Sequence, residues 1–571
     1  MSQKLTRRSF TQLAGAAGAA TLLGAGASKA TPSTGSRGPN ILLIVCDQEQ
    51  SWLELPATLD LPNRRRIEER ATHFTQAHVV NPLCSTSRGN IYTGQHGQFT
   101  GLWENTPIPW STGGLIDGVP TIGHMMKAAG YRTAYTGKWH LTNIDVGPTQ
   151  SGGLTRDGTR SMFQKYGFDL SDQEGEMDGP HGGYHHDPKT AATAAKHIFQ
   201  NAGEDVPWFH AVNFVNPHDI MFFRADQHQE DSRVIHKGFQ SRFAPEDPIY
   251  AHDNNLELPE TFGPEFRKAG IKAHEQHALM YQTIFGDIPW ENEDIWRHYR
   301  NYYYNCLRDV DRHIGTVLDA VEASGQADNT IIIFTADHGE MAGAHGHRGK
   351  GSLVYKEAAR VPLLVIHPEI EGGVQTTALS SHVDLVPTIL SMAGVAQAQL
   401  QDEYSVLKGK DLSSVLEAPT AKGPRDEEGV LFQWSSLAYL DAEFSATAAQ
   451  INEADGAMEK LSLMWNGTAL PDLDYRGHLR GVFDGRYKFA RYFAPSEHHK
   501  PETFEQLTAH NDLEVYDTQV DPLEKDNLGQ DPVRHRELIV TLNDKLNALS
   551  DREVGVDDGS HMPGPKYLWA L

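Results

Sequence analysis

Two stretches far apart in the chain share one design. Asn40-Ile-Leu-Leu-Ile-Val-Cys-Asp-Gln48 and Asn329-Thr-Ile-Ile-Ile-Phe-Thr-Ala-Asp-His-Gly339 are apolar runs that stop abruptly at paired polar donors. A strand apolar on both faces has to be covered on both, which points to a mostly parallel sheet between helices, an α/β fold. In such sheets ligands sit beyond the carboxyl ends of the strands. Asp47 and Gln48 at one end and Asp337 and His338 at the other therefore become candidate ligands of one divalent cation, provided the two strands are neighbours.

Three more runs fit the same sheet. Pro207 to Asp219 reads as a strand ending at His218, and Tyr131 to His140 as a strand entering a loop with Lys138 and His140. Arg360-Val-Pro-Leu-Leu-Val-Ile-His367 is another buried strand. Helical spacing is expected over Leu61 to Arg70, Thr121 to Ala129 and His382 to Ala393. A long amphipathic helix spans Ile295 to Val321, with Tyr299, Cys306, Val310 and Ile314 on one face. Residues 220–290 are rich in His, Asp, Pro and Gln without a clear period and read as an insertion near the site mouth.

From about Gly429 the texture changes. Asp484-Gly485 between mixed runs signals a hairpin, Leu513 to Asp517 another strand, and a last helix lies around His535 to Leu549. The expected organisation is an α/β catalytic domain over 38–420 and a smaller C-terminal α+β domain with an antiparallel sheet over 429–571. That is two folded domains, where length alone would allow roughly three or four.

Asn81-Pro-Leu-Cys-Ser-Thr-Ser-Arg-Gly-Asn-Ile-Tyr-Thr-Gly94 reads as a loop feeding a helix. A helix N-terminus carries unpaired N–H groups that welcome anions. Cys84 placed there as nucleophile, with Arg88 one turn on, could hold an oxyanion against its attacker. Three cysteines cannot make a disulfide framework, and Cys84 suits chemistry better than cross-linking. Gly343 to Gly351 is glycine-rich and contributes Lys350, but the phosphate-cradling G-x-x-x-x-G-K-[ST] spacing is absent.

The formal charge of −25 argues against nucleic acid or an anionic membrane as partner. An anionic substrate would then need a locally basic site. At the N-terminus, Thr6-Arg-Arg-Ser-Phe-Thr-Gln12 precedes a mild Ala/Gly-rich run, Leu13 to Ala27. This reads as a twin-arginine signal over residues 1–30, too short and weakly apolar to span a membrane once mature. The expected localisation is periplasmic or secreted, with the twin-arginine export machinery as a partner. Removing 1–30 takes away Lys4, Arg7, Arg8 and Lys29 and no acid, leaving the chain still more acidic.

Taken together, Asn40 to Val45, Cys84-Ser-Thr-Ser-Arg88, Gly130-Tyr-Arg-Thr133, Gly137-Lys-Trp-His140, Asn216-Pro-His218, Asp337-His-Gly-Glu340, Gly349-Lys350 and Arg360-Val-Pro362 resemble the sulfatase family of the alkaline-phosphatase-like superfamily. The resemblance covers nearly the whole mature chain. It implies hydrolysis of sulfate monoesters, with Cys84 oxidised by a maturase to formylglycine, whose hydrate is the nucleophile. It implies one divalent cation, Ca²⁺ or alternatively Mn²⁺, on Asp47, Gln48, Asp337, His338 and the modified Cys84. Arg88, Lys138 and Lys350 would neutralise the sulfate oxygens, His218 would protonate the leaving alcohol, and His140 would orient the nucleophile. Thr86 stands where the family commonly has Pro or Ala. Gln48 and His338 replace the Asp and Asn of many arylsulfatases and look like the choline sulfatase and phosphonate monoester hydrolase branch. By similarity to that branch Asn105 is a substrate-binding residue, and a phosphonate or phosphodiester hydrolase is the alternative activity. The expected substrate is a small-molecule or glycan sulfate ester. The C-terminal Trp569-Ala-Leu571, with Tyr567, offers a dock for a second copy in a homo-oligomer or a wall for the substrate pocket.

Overall fold

The computed structural model describes residues 38–106, 114–142, 156–172, 179–236, 240–267, 270–456, 458–460, 462 and 470–560. The twin-arginine segment and the tail with Tyr567 and Trp569 lie outside them.

Eight strands form the main sheet: β1 (Asn40–Asp47), β2 (Thr72–His78), β3 (Arg132–Gly137), β4 (Leu170–Asp172), β5 (Trp208–Pro217), β6 (Thr330–Ala336), β7 (Leu363–Ile366) and β8 (Val374–Ser381). Their order is β4-β3-β5-β1-β6-β7-β2-β8. β3, β5, β1 and β6 run parallel to one another, whereas β7 is antiparallel to both β6 and β2. The two apolar runs from opposite ends of the catalytic region are thus adjacent central strands.

Burial explains why. Along β1 the side chains alternate between two cores, Ile41, Leu43 and Val45 joining Ile122, Met126 and Ile389, and Leu42, Ile44 and Cys46 joining Ile198, Val310 and Ile314. Each fully buried aliphatic side chain stabilises the fold by roughly 1.5–3 kcal/mol, so a strand apolar throughout is stable only between two helical layers. The helix Glu293–Ala323 covers the second face, with Glu293 and Asp294 in its first turn complementing the helix dipole.

Two helices escape a reading of apolar period. Residues 220–290 are not aperiodic throughout: Lys272–Phe285 is a helix whose buried face includes His274, Gln276, His277 and Tyr281. Gly182–Gln200 buries mainly small residues, Ala191 and Ala194 among them, so close packing replaces a bulky stripe.

Strands β9 (Val430–Trp434), β10 (His478–Phe483), β11 (Tyr487–Phe493) and β12 (Asn511–Asp517) form an antiparallel sheet in the order β12-β11-β10-β9. The hairpin at Asp484-Gly485 joins β10 to β11, with Gly485 at a positive φ of 94°. The helix Arg536–Glu553 packs Leu542, Leu546 and Leu549 against Phe489 and Val515. No helix among the described residues is long and apolar enough to cross a membrane.

Candidate active site

Cys46 of β1 lies opposite Ala336 of β6, so Asp47 and Asp337 emerge side by side at the carboxyl ends. Gln48 then turns with a positive φ of 70° and donates its backbone N–H to Asp337 Oδ1 at 3.0 Å. Its side-chain Nε2 donates to Glu340 Oε2 at 2.6 Å, which leaves Oε1 to accept from Lys350 Nζ at 2.8 Å. His338 pairs Nδ1 with the Gly339 carbonyl at 3.0 Å, presenting Nε2 inward, 3.3 Å from Cys84 Sγ. A ring N–H tied to a carbonyl fixes the tautomer and frees the other nitrogen as a ligand.

Cys84 is the first residue of the helix Cys84–Thr93 and is fully buried. Its first turn is capped by Asn105, whose Oδ1 accepts the Ser85 N–H at 3.0 Å. Thr86 donates its hydroxyl to the Leu83 carbonyl at 2.9 Å, and Ser87 donates its own to the Asp337 carbonyl at 2.5 Å. Lys350 Nζ lies 2.8 Å from Cys84 Sγ. Burial and the Asp47 charge push the thiol up, but Lys350, Lys138 and His338 outweigh them and hold it well below its usual range.

The resemblance assigns Arg88 to the sulfate oxygens; in the structure its guanidinium donates to protein acceptors. Its Nε donates to Asp337 Oδ2 at 2.9 Å and its Nη2 to Asp47 Oδ2 at 3.2 Å. Nη1 donates to Asn213 Oδ1 at 3.1 Å and to the Lys138 carbonyl at 3.0 Å. The guanidinium fork thereby ties together residues from β1, β5, β6 and the loop after β3, a geometry Lys could not reproduce. Asn213 also accepts from Tyr92 OH at 2.5 Å.

Lys138 Nζ sits 2.8 Å from Asp47 Oδ2. Burial raises the Asp47 carboxyl, but Lys138, His218, Lys350 and Arg88 together bring it well below the carboxylate range. Asp337 is the opposite case, pushed up to about 6 by burial and by Asp47. His218 opens the turn after β5, and His140, at a positive φ of 53°, sets Nε2 2.6 Å from the Thr106 carbonyl. The site residues inferred from sequence, Asp47, Gln48, Cys84, Arg88, Lys138, His338, Asp337 and Lys350, meet in one buried centre. His218 acts on Asp47 electrostatically, while Asn105 and His140 join through the Cys84 helix and Thr106.

Ligand atoms of Asp47, Cys84, Asp337 and His338 all lie within 4.8 Å of one another. Two carboxylates, an imidazole nitrogen aimed inward and the oriented Gln48 carbonyl form a donor set that fits a hard or borderline divalent cation.

The Sulfatase family model matches residues 39–395, more than half of the chain and every residue of this centre. The chain belongs to the sulfatase family. The choline-sulfatase of Rhizobium meliloti (strain 1021) is 26% identical over 428 residues, covering 70% of this chain and 75% of that one. Among solved structures, a 2-O GAG sulfatase superposes with a TM-score of 0.63 at 20% identity, over 93% of this chain and 96% of that one. The phosphonate monoester hydrolase of Agrobacterium radiobacter does so with a TM-score of 0.58 at 20% identity, over 90% and 96%. The fold is that of the alkaline-phosphatase-like superfamily, and this sulfatase is a sulfuric ester hydrolase.

Several residues of the sulfatase site are invisible to motif reading. Glu340 stands inside the Asp337-His-Gly-Glu340 motif, yet only the fold shows that it orients Gln48. Ser87, Tyr92 and Asn213 act on partners more than a hundred residues away, so no local spacing betrays them.

Proposed function

We propose that this sulfatase hydrolyses sulfate monoesters with residue 84 as nucleophile, after oxidation of Cys84 to formylglycine. The observation that carries this reading is Cys84 itself, buried on a capped helix N-terminus with Lys350 and His338 within hydrogen-bond distance of its sulfur. The aldehyde hydrate supplies a nucleophilic oxygen that a thiol cannot. Asp47, Gln48, Asp337 and His338 would hold Ca²⁺ or Mn²⁺, which supplies Lewis acidity and compensates the paired aspartates.

The remaining work falls to the chain's own residues. Lys138 and Lys350 bring two cations to the centre, which answers how so acidic a protein accepts an anion. Arg88 acts by positioning, holding both aspartates in place. His218 is our candidate proton donor to the leaving alcohol, and His140, anchored on the Thr106 carbonyl, orients the nucleophile. Asn105 serves by capping the helix that presents it.

Mass spectrometry of the tryptic peptide Ala71 to Arg88 from the native host tests the proposal. Loss of sulfur and two hydrogens with gain of oxygen at Cys84 supports it. An intact thiol in active protein overturns it. The Gln48 and His338 pair favours a second reading, phosphonate monoester or diester hydrolysis by the same nucleophile. Relative kcat/KM on aryl sulfate, aryl phosphonate and aryl diester separates the two. The twin-arginine pattern supports export to the periplasm, which cell fractionation checks.

A further inference from the structure

Behind the loop that delivers Lys350 lies a second, small basic pocket, lined by Arg267, Arg348 and His347 among others. Arg348 is only 6% exposed, and its Nη2 donates to the carbonyls of Tyr281 and Gly286. Arg267, half-buried, donates Nε to the Gly346 carbonyl at 2.8 Å and lies 5.5 Å over the Trp290 ring, which stacks on Trp296 at 4.2 Å. Among the described residues neither guanidinium has a carboxylate within ion-pair distance, and the remaining N–H groups of both meet no protein acceptor. Burying a guanidinium without an anion is costly, and burial lowers the pKa of both.

The back wall consists of His277 and His347. His277 pairs Nε2 with the Arg348 carbonyl at 3.1 Å, and both ring nitrogens of buried His347 lack a protein partner. Burial holds both imidazoles neutral, so they can donate N–H without adding charge. Asp287, the acid on the rim, accepts from Gln282 Nε2 at 3.1 Å and lies 3.6 Å from His228. The Tyr281 hydroxyl accepts the Lys350 N–H at 3.0 Å, so one short loop carries Arg348 into this cavity and Lys350 into the catalytic centre.

We propose that Arg267, Arg348 and His347 form a second anion subsite, which takes a sulfate or carboxylate group carried on a sugar ring of the substrate. Two guanidinium forks match such oxyanions. The assignment rests on the sulfatase reading, and it names that enzyme's substrate as a polyanionic glycan.

The test is calorimetric titration of the Cys84→Ser protein, so that no turnover is required. The probes are a disulfated disaccharide, its monosulfated counterpart and inorganic sulfate. The parent protein should prefer the disulfated ligand, and Arg267→Gln should reduce that preference by about tenfold. Arg348→Lys, which keeps the charge and loses the fork, should reduce it less. If inorganic sulfate instead shows the Arg267-dependent binding, the subsite stands but takes the free anion. An unchanged preference in both variants, with unchanged melting temperatures and no Arg267-dependent sulfate binding, overturns the subsite. Absence of turnover in the wild-type protein would instead refute the sulfatase reading.

Discussion

Gln48 gives its side-chain N–H to Glu340 at 2.6 Å, and that bond decides which end of the amide faces Lys350 and Cys84. Glu340 is fully buried and also accepts the N–H groups of Ala342 at 2.9 Å and Gly349 at 2.7 Å. One carboxylate therefore sets both the ligand turn and the loop that bears Lys350.

Replacing Glu340 by Ala should leave those donors unmet, at about 1–3 kcal/mol each. It should also weaken divalent-cation binding by about 10- to 100-fold. Competition against a chelating dye measures the second effect, and Glu340→Gln, which keeps an acceptor, should lose less. Equal affinity in all three proteins would remove Glu340 from the metal's support.

Gly349 is a steric requirement. At its φ of 72°, a Cβ would come 1.9 Å from the Tyr281 hydroxyl. Gly349→Ala should displace Tyr281 from Lys350, lower the melting temperature and cost about 1–3 kcal/mol from backbone strain alone. Trimming Tyr281 to Phe in the same protein should recover little, because the ring carbons Cζ and Cε1 would still lie 2.0 and 2.3 Å from that Cβ.

Glu553 joins the last helix to the catalytic region through Arg425 Nη1 at 2.5 Å and His96 Nε2 at 2.9 Å. Burial raises its carboxyl, but Arg425 and His96 overcome this and hold it at about 2, below its ordinary 4.5. A depressed folded-state value stabilises above the unfolded value, and the gain is lost as pH falls from about 4.5 towards 2. Glu553→Gln should therefore be less stable than wild type at pH 7, by about 3 kcal/mol. Thermal midpoints measured down to pH 3 should show the gap narrowing. A gap independent of pH would mean that packing, not charge, is what the substitution removes.

Cys84→Ala separates chemistry from architecture. Asn105 caps the helix through the Ser85 N–H, and Lys350 retains Gln48 without the sulfur. Turnover of a sulfate ester should fall by more than about 10⁴-fold, with the melting temperature nearly unchanged. Residual activity near wild type would exclude residue 84 as nucleophile.

The sheet was legible because its central strands are buried on both faces, and Asp47, His218, Asp337 and His338 were legible as polar stops on apolar runs. The helix Lys272–Phe285 was not, because His274, Gln276 and His277 interrupt a buried face that otherwise joins the apolar core through Ala273, Met280, Ile284 and Phe285. Arg88 was recognised as a site residue, but its partners were not. Asn213 and Asp337 lie 125 and 249 residues away, so only the sheet order reveals that they share one guanidinium. The antiparallel setting of β7 was equally hidden, since strand direction leaves no trace in an apolar run.

Adjacency of β1 and β6 also dictates when this enzyme can come into being. Gln48 and Lys350, 302 residues apart, must both have left the ribosome before the centre can close. At ordinary elongation rates that interval is roughly 15–60 s, during which β1 has an exposed apolar edge and no partner from β6. A nascent chain is thus at its most aggregation-prone while its first strand waits for its neighbour, and chaperone demand should peak before residue 336 emerges.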